Sequence, residues 1–212
     1  MDSTILDLLD AHDILRPGHI DEQTLKDFLN SVKTFQCLAN CSNKQLQSLS
    51  SYVNNCLNGQ SQKDKYYGLS VLDLMLQQCP PDNLGMNLGS YINSIVNQVF
   101  KCPRTEPIIL NRSCQVMAKI LDLAPSFPEI SRQLSSLATT LVTCMIDFID
   151  KSRICKIGIL HCLCALMSNY PGACGSASSN IKAIEIAIVK NMTTNDPLIT
   201  KQVNSLHIQK KF

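Results

Sequence analysis

The 212-residue sequence contains no tryptophan, few aromatic residues of any kind, and no long apolar run. Its longest apolar stretch, LVTCMIDFI from Leu141, includes Asp147 and is far shorter than the roughly 20 residues that a membrane-spanning helix needs. The first residues, MDSTILDLLD, carry acids where a secretory signal would carry lysine or arginine. These absences argue against a membrane protein and against a secreted one.

Charge is also sparse and nearly balanced, because 19 basic residues face 17 acidic ones and leave a net charge of +2. Such a weak charge does not indicate a nucleic-acid surface, which usually shows a concentrated basic patch. The 11 cysteines, in a chain without a secretory signal, are predicted to be reduced thiols of the cytosol or nucleus. Cys37 and Cys41 have no second ligand pair at zinc-site spacing, and His161 and Cys162 point apart on a helix. We therefore predict no metal site and no cofactor.

Catalytic patterns are missing as well. The histidines show no partnered arrangement with serine or cysteine nucleophiles, and the best single candidate, Cys174, has no basic residue near it except Lys182. Its loop contains Gly172 and Gly175 but lacks the lysine and the preceding strand of a phosphate-binding loop. The stretch 169–181, NYPGACGSASSNI, is better explained as a hairpin turn between two helices. We predict that the protein is not an enzyme.

Helical periodicity, by contrast, is plentiful. From Lys65 an apolar stripe predicts an amphipathic helix that ends before Pro80 and Pro81. Further helices are predicted on the same grounds, with no convincing strand. The stripe of the helix from Lys65 comprises Tyr66, Leu69, Leu72, Leu76 and Cys79. The other predicted helices are Ser3–Leu15, Asp21–Phe35, Asn43–Leu57, Asn83–Phe100, Pro107–Leu123, Ile130–Ile149, Ser152–Tyr170 and Ile181–Met192.

These helices form pairs that recur along the chain. First helices start near Lys65, Pro107, Ser152 and Pro197, about 40 to 47 residues apart, which is the period of HEAT and armadillo repeats. The sequence therefore predicts an all-α, HEAT/armadillo-like helical-repeat solenoid. We divide this continuous α-solenoid into N-terminal helices at 1–62, a repeat region at 63–195, and a truncated or atypical C-terminal end at 196–212.

One short segment near the N-terminus could bind a partner. Ile5, Leu8 and Leu9 match the I/L-x-x-L-L pattern of helices that dock into a hydrophobic groove. The same spacing also occurs in helices that face a core. Both interpretations remain open from the sequence.

Three stretches resemble a known family. KYYGLSVLDLML from Lys65 is similar to its basic-aromatic-x-Gly-Leu opening, and NLGSYINSIVNQVF from Asn87 is similar to the helix that follows. YPGACGS is the most specific match, through Tyr170, Pro171, Ala173, Cys174, Gly175 and Ser176. Together they resemble the proline-, glutamate- and leucine-rich nuclear protein family, whose N-terminal domain is shared with the yeast pre-rRNA-processing scaffold of the Rix complex.

The resemblance implies a non-enzymatic scaffold of the nucleus, nucleolus and nucleoplasm. Such a scaffold would support spacer processing of pre-rRNA and maturation of the 60S subunit within a Rix-type complex. The implied partners are WD-repeat and helical-repeat subunits, a midasin-type AAA+ ATPase and pre-60S particles, without a membrane and with direct RNA contact left open. The alternative implied by the family is a transcriptional coregulator that binds nuclear receptors through leucine-rich helices, here Ile5, Leu8 and Leu9.

Overall fold

The computed structural model describes residues 37–149 and 153–170, together with isolated helical positions between 23 and 30 and between 182 and 200. Within these residues there is no strand, and none of the helices is long and apolar enough to cross a membrane. Short 3-10 turns lie at Cys37–Asn40 and Ala124–Ser126, and a π-helical segment occupies Val96–Phe100. The α-helices of the two continuous ranges are α1 (Asn43–Asn58), α2 (Gln62–Gln78), α3 (Pro81–Ile95), α4 (Pro107–Leu123), α5 (Pro128–Phe148) and α6 (Arg153–Asn169).

Local side-chain chemistry sets several of the helix starts. Ser42 caps α1 by accepting a hydrogen bond from the Gln45 N–H at 3.3 Å, while the Gln45 side chain accepts from the Ser42 N–H at 2.9 Å. Ser61 caps α2 in the same way, through the N–H of residue 64 at 3.1 Å. Helices α4 and α5 instead begin with Pro107 and Pro128, which lack an N–H that would otherwise need a partner.

The chain divides into two compact units between Ser94 and Ile95. In the first unit, the short connection Gly59–Ser61 folds α2 back on α1 as a helical hairpin. Gly68 of α2 lies against Cys56 of α1, where an added Cβ would be 2.6 Å from the Cys56 Cβ. The two helices approach so closely because glycine has no side chain at this contact.

Helix α3 is joined to α1 by two side-chain hydrogen bonds. The Tyr91 hydroxyl donates to the Ser50 hydroxyl at 2.7 Å, and both residues are buried. Nearer the surface, the Ser90 hydroxyl donates to Asn54 Oδ1 at 3.0 Å. Burial raises the pKa of the Tyr91 phenol to about 12, although the hydrogen bond to Ser50 acts in the opposite direction.

Helix α2 is buried on almost every side and not along a single stripe. All residues of 68–75 are buried, including Asp73, whose carboxylate accepts a hydrogen bond from the Gln77 side chain at 2.7 Å. The predicted stripe is therefore correct for Leu69 and Leu72 but wrong for Tyr66, which is 36% exposed. The apolar periodicity did not reveal how much of α2 is buried, because a helix that is covered on several sides needs no polar face.

In the second unit, α4 and α6 share the most extensive helix contact and run parallel. Near their starts, the Cys155 thiol donates to the Pro107 carbonyl at 3.3 Å, 48 residues away. Near their ends, Asn169 Nδ2 donates to Asp122 Oδ1 at 2.9 Å, 47 residues away. The difference in residue number between contacting residues is thus nearly constant along the two helices, which means that α4 and α6 pack in register. Helix α5 is the antiparallel helix between them in the chain.

The π-helical segment is stabilised by the loop that follows it. The Lys101 N–H donates to the Val96 carbonyl at 3.0 Å, the long spacing of a π turn. Buried Thr105 then donates its hydroxyl to the Val99 carbonyl at 2.9 Å. The Cys102 N–H also donates to the Val99 carbonyl at 3.2 Å, so the loop supplies donors to the last turn of the helix.

The predicted fold class is confirmed in the described residues, which form an all-α, HEAT/armadillo-like helical repeat. First helices begin at Gln62, Pro107 and Arg153, so their starts are 45 and 46 residues apart. The apolar spacing within 83–100 predicts one buried face, and its seven residues are all buried, namely Leu84, Leu88, Tyr91, Ile92, Ile95, Val96 and Val99. The predicted helix Ser3–Leu15 lies outside the described residues, and the subdivision at 62/63 and 195/196 stays a prediction.

Candidate functional site

Most residues singled out from the sequence lie outside the part of the chain that the structure describes. This applies to the docking motif and to the loop after α6, with the exception of its first residue. The residues concerned are Ile5, Leu8 and Leu9 in the motif, and Pro171, Ala173, Cys174, Gly175 and Ser176 in the loop. Their predicted roles stay predictions.

Tyr170, the first residue of that loop, is held firmly at the end of α6. Its side chain is only 5% exposed, and its N–H donates to the Leu166 carbonyl at 2.9 Å. Burial raises the pKa of the Tyr170 phenol. Tyr170 therefore anchors the start of the family motif on the core of the second unit, which is a packing role.

The preceding residue, Asn169, extends this anchor to α4. Besides its bond to Asp122, its amide donates to the Ala165 carbonyl at 3.0 Å. The end of α6 is thereby tied both to its own last turn and to the end of α4.

The opening motif of the resemblance lies at the start of α2 and is divided between core and surface. Lys65 and Gly68 are buried, whereas Tyr66 is partly exposed. The Tyr66 and Tyr67 rings meet edge to face with centroids 6.1 Å apart, and Lys63 Nζ lies 5.9 Å from the centre of the Tyr67 ring. This surface corner combines aromatic and cationic groups.

A larger candidate surface is formed by α1 and α3, and sequence reasoning missed it. Within α1 and α3 the charged side chains are Lys44 and Asp82, one in each helix. We call the exposed, mostly polar residues of these helices the uncharged face, and the Asn54–Ser90 hydrogen bond bridges it. The uncharged face comprises Asn43, Gln47, Ser51, Asn55 and Asn58 of α1 with Asn83, Met86, Ser90 and Asn93 of α3.

Depletion of charge is typical of the centre of protein–protein interfaces, whereas solvated helices usually carry lysine and glutamate. Met86, which is 94% exposed, adds an apolar side chain of the kind enriched at interfaces. The signal in the sequence was a run of asparagine, glutamine and serine, but the exposure of these residues became visible only in the folded chain. The uncharged face is therefore suited to binding another protein.

The buried thiols of Cys114 and Cys162 are poorly suited to chemistry. In that part of the chain no three His, Cys, Asp or Glu side chains are grouped closely enough to hold a metal ion. Burial raises the pKa of Cys114 and raises that of Cys162 strongly, so both thiols stay protonated at neutral pH. His161 is only half-buried beside the fully buried Cys162, so the two side chains do not converge on one site.

The described helices define a helical-repeat protein, and a comparison with protein families identifies which one. The RIX1 family, described as rRNA processing/ribosome biogenesis, matches residues 3–196. The chain belongs to this family, in agreement with the resemblance carried by the motifs at Lys65 and Tyr170. Its role is thus in ribosome biogenesis and rRNA processing.

A comparison with curated proteins finds no significant match. Among solved structures, the chain is similar to a designed armadillo repeat protein, YIII(Dq)4CqI, with 10% sequence identity and a TM-score of 0.40. The alignment covers 97% of this chain and 98% of the designed protein.

Proposed function

We propose that the protein is a non-enzymatic scaffold that supports pre-rRNA spacer processing and 60S maturation within a Rix-type complex. Membership of the family supports the process, and the uncharged face supports a scaffold role, because it offers a large surface with almost no charge to desolvate. The partners in this proposal are a WD-repeat subunit, a second helical-repeat subunit, a midasin-type AAA+ ATPase and pre-60S particles. The expected location is the nucleus, including nucleolus and nucleoplasm.

Affinity purification of the tagged full-length protein tests the proposal. We expect it to recover the WD-repeat subunit and pre-60S particles, and its depletion to cause accumulation of pre-rRNA that retains the internal spacer. Recovery of neither partner, together with normal spacer processing after depletion, would contradict the proposal. Imaging of the tagged protein should show nuclear and nucleolar signal.

Charge placed on the uncharged face tests whether this surface carries the contacts. The double variant Asn55→Glu with Met86→Glu changes two exposed side chains and leaves the core intact. We expect it to lose the WD-repeat or helical-repeat partner because buried unpaired carboxylates are costly. The matched control, Ser136→Glu with Thr143→Glu, adds the same charge to the exposed side of α5 and should retain both partners.

The coregulator alternative is tested by the segment on which it depends. It requires ligand-dependent capture of a nuclear receptor through Ile5, Leu8 and Leu9. Leu8→Ala should abolish that capture if the alternative holds, while leaving recovery of pre-60S particles unchanged. Equal receptor capture by the Leu8→Ala variant and the original protein would eliminate the docking motif as the cause.

A further inference from the structure

Asn58 and Gly59 form the single Asn-Gly dipeptide in the 212 residues. Asparagine is thermolabile, and a following glycine, which has no side chain and a permissive backbone, allows its own nitrogen to approach the asparagine amide. Asn58 is exposed at the last position of α1, and Gly59 begins the connection to α2. Sequence chemistry and exposure therefore both mark this dipeptide as prone to spontaneous deamidation.

The fold, however, engages both reacting groups. The Gly59 nitrogen is the atom that would attack the Asn58 side chain. Its N–H donates to the Asn55 carbonyl at 3.0 Å and to the Cys56 carbonyl at 3.3 Å. The Asn58 side-chain nitrogen, which is the leaving group, donates to the Asn54 carbonyl at 2.9 Å. With its N–H pointing back into the last turn of α1, the Gly59 nitrogen cannot attack the Asn58 side chain until these bonds open.

We propose that Asn58–Gly59 is a latent deamidation site, closed in the folded chain by the hydrogen bonds at the end of α1. In the reaction the Gly59 backbone nitrogen bonds to Asn58 Cγ, the Cγ–Nδ2 bond breaks, and ammonia leaves with the proton of the Gly59 N–H. The resulting five-membered imide is then opened by one water molecule to aspartate or isoaspartate. The net change is asparagine plus water to a carboxylate plus ammonium, with no oxidant or reductant.

The product changes the hairpin in three ways. A carboxylate at residue 58 lies at the C-terminus of α1, where the helix dipole is negative and disfavours an anion. The side chain also loses the amide donor that bonds to Asn54. Isoaspartate further lengthens the backbone at the point where the chain turns from α1 to α2. Deamidation is therefore expected to loosen the α1–α2 hairpin.

The test compares deamidation of Asn58 in the full folded chain with that in a synthetic peptide of residues 52–64, at neutral pH and physiological temperature. Peptide mass mapping follows the mass change, and enzymatic isoaspartate methylation identifies the product. We expect the folded chain to react at least about tenfold more slowly, which corresponds to ~1.4 kcal/mol of local opening free energy. Amide hydrogen exchange should show protection of the Gly59 N–H of similar size.

Two controls make the outcome decisive. A peptide containing Asn93–Ser94 should react more slowly than the Asn58 peptide, and Gly59→Ala should slow the Asn58 peptide because the methyl group hinders the attack. Gly59 has extended backbone angles, φ −71° and ψ 165°, so alanine is conformationally permitted there. Equal rates in the folded chain and the Asn58 peptide would overturn the proposed closure. An Asn58 peptide no faster than the Asn93 peptide would overturn the site itself.

Discussion

Gly158 of α6 packs directly on the backbone of Asn111 in α4, leaving no room for a side chain at position 158. An added Cβ would be 2.9 Å from the Asn111 carbonyl oxygen and 3.2 Å from its Cα. Since both atoms belong to the backbone, the helices would have to move apart. We expect Gly158→Ala to lower the free energy of unfolding by about 1–3 kcal/mol, despite the better helix propensity of alanine. Urea unfolding followed by circular dichroism measures the change.

Gly85→Ala is the matched control for that prediction. Gly85 lies inside α3 and is half-exposed. There the substitution should be neutral or stabilising by about 0.5–1 kcal/mol, because alanine restricts the unfolded chain more than glycine. If both glycine variants shifted the unfolding midpoint in the same direction, close packing at Gly158 would not be the cause.

The buried hydrogen bond between Tyr91 and Ser50 should contribute measurably to the first unit. Ser50→Ala leaves the Tyr91 hydroxyl buried without its acceptor, at a cost of about 1–3 kcal/mol. Tyr91→Phe with Ser50→Ala removes both hydroxyls and should cost less than the sum of the two single variants. A double-mutant cycle by urea unfolding gives the coupling energy, and additive single effects would contradict a direct bond.

Alkaline pH should destabilise the protein through its buried thiols. Burial raises the pKa of Cys56 from 9.0 to about 12, against the opposing hydrogen bond from Tyr52. Between these values the unfolded chain loses the proton that the folded chain keeps, so stability falls as pH rises through this window. One pH unit above 9.0, this thiol accounts for ~1.4 kcal/mol of lost stability. Unfolding free energies measured across the window check the slope.

The comparison variants for this pH effect are Cys56→Ala and Cys102→Ala. Cys56→Ala removes the titrating group and should make the decline of stability with pH shallower. Cys102 is half-exposed in the loop after the π segment, so Cys102→Ala should leave the slope unchanged. A slope that is the same in all three proteins would contradict the assignment to Cys56.

Native thiol labelling should separate the cysteines by burial. Cys114 and Cys162 are completely buried with raised pKa values, whereas Cys41 and Cys102 are partly exposed. With an alkylating reagent at neutral pH, we expect Cys41 and Cys102 to react first and the buried pair only as the fold opens. Mass mapping of the labelled peptides at successive times gives the order. Labelling of Cys162 as fast as Cys102 would contradict the burial.

Helix positions were largely predictable from the sequence because prolines and capping serines act locally. Helix α4 has the bounds Pro107–Leu123 that its opening proline and apolar spacing predict. Tyr66 was misplaced, since periodicity cannot tell whether a helix is covered on one side or on several. The contact of Gly158 with Asn111 was equally unpredictable, because an apolar helix face does not specify which residue it will contact on another helix 47 residues away in the sequence.

The candidate site was less predictable than the fold. The family motif after Tyr170 identified the family, yet the one described residue of that motif has a packing role. The uncharged face gave no positive motif, because its defining property is a shortage of charge on residues whose exposure the sequence does not show. The uncharged face depends on the side-by-side arrangement of α1 and α3, as the bond between Asn54 and Ser90 demonstrates.

The constant offset between α4 and α6 also limits how the chain can change in length. Each residue added to or removed from a helix turns everything beyond it by about 100° and shifts it by about 1.5 Å. A single deletion within α6, between Cys155 and Gly158, would thus point Gly158 away from Asn111 and bring a larger side chain to the contact. Insertions and deletions in the second unit should be tolerated in its connecting segments, such as 101–106, and selected against inside α4 and α6.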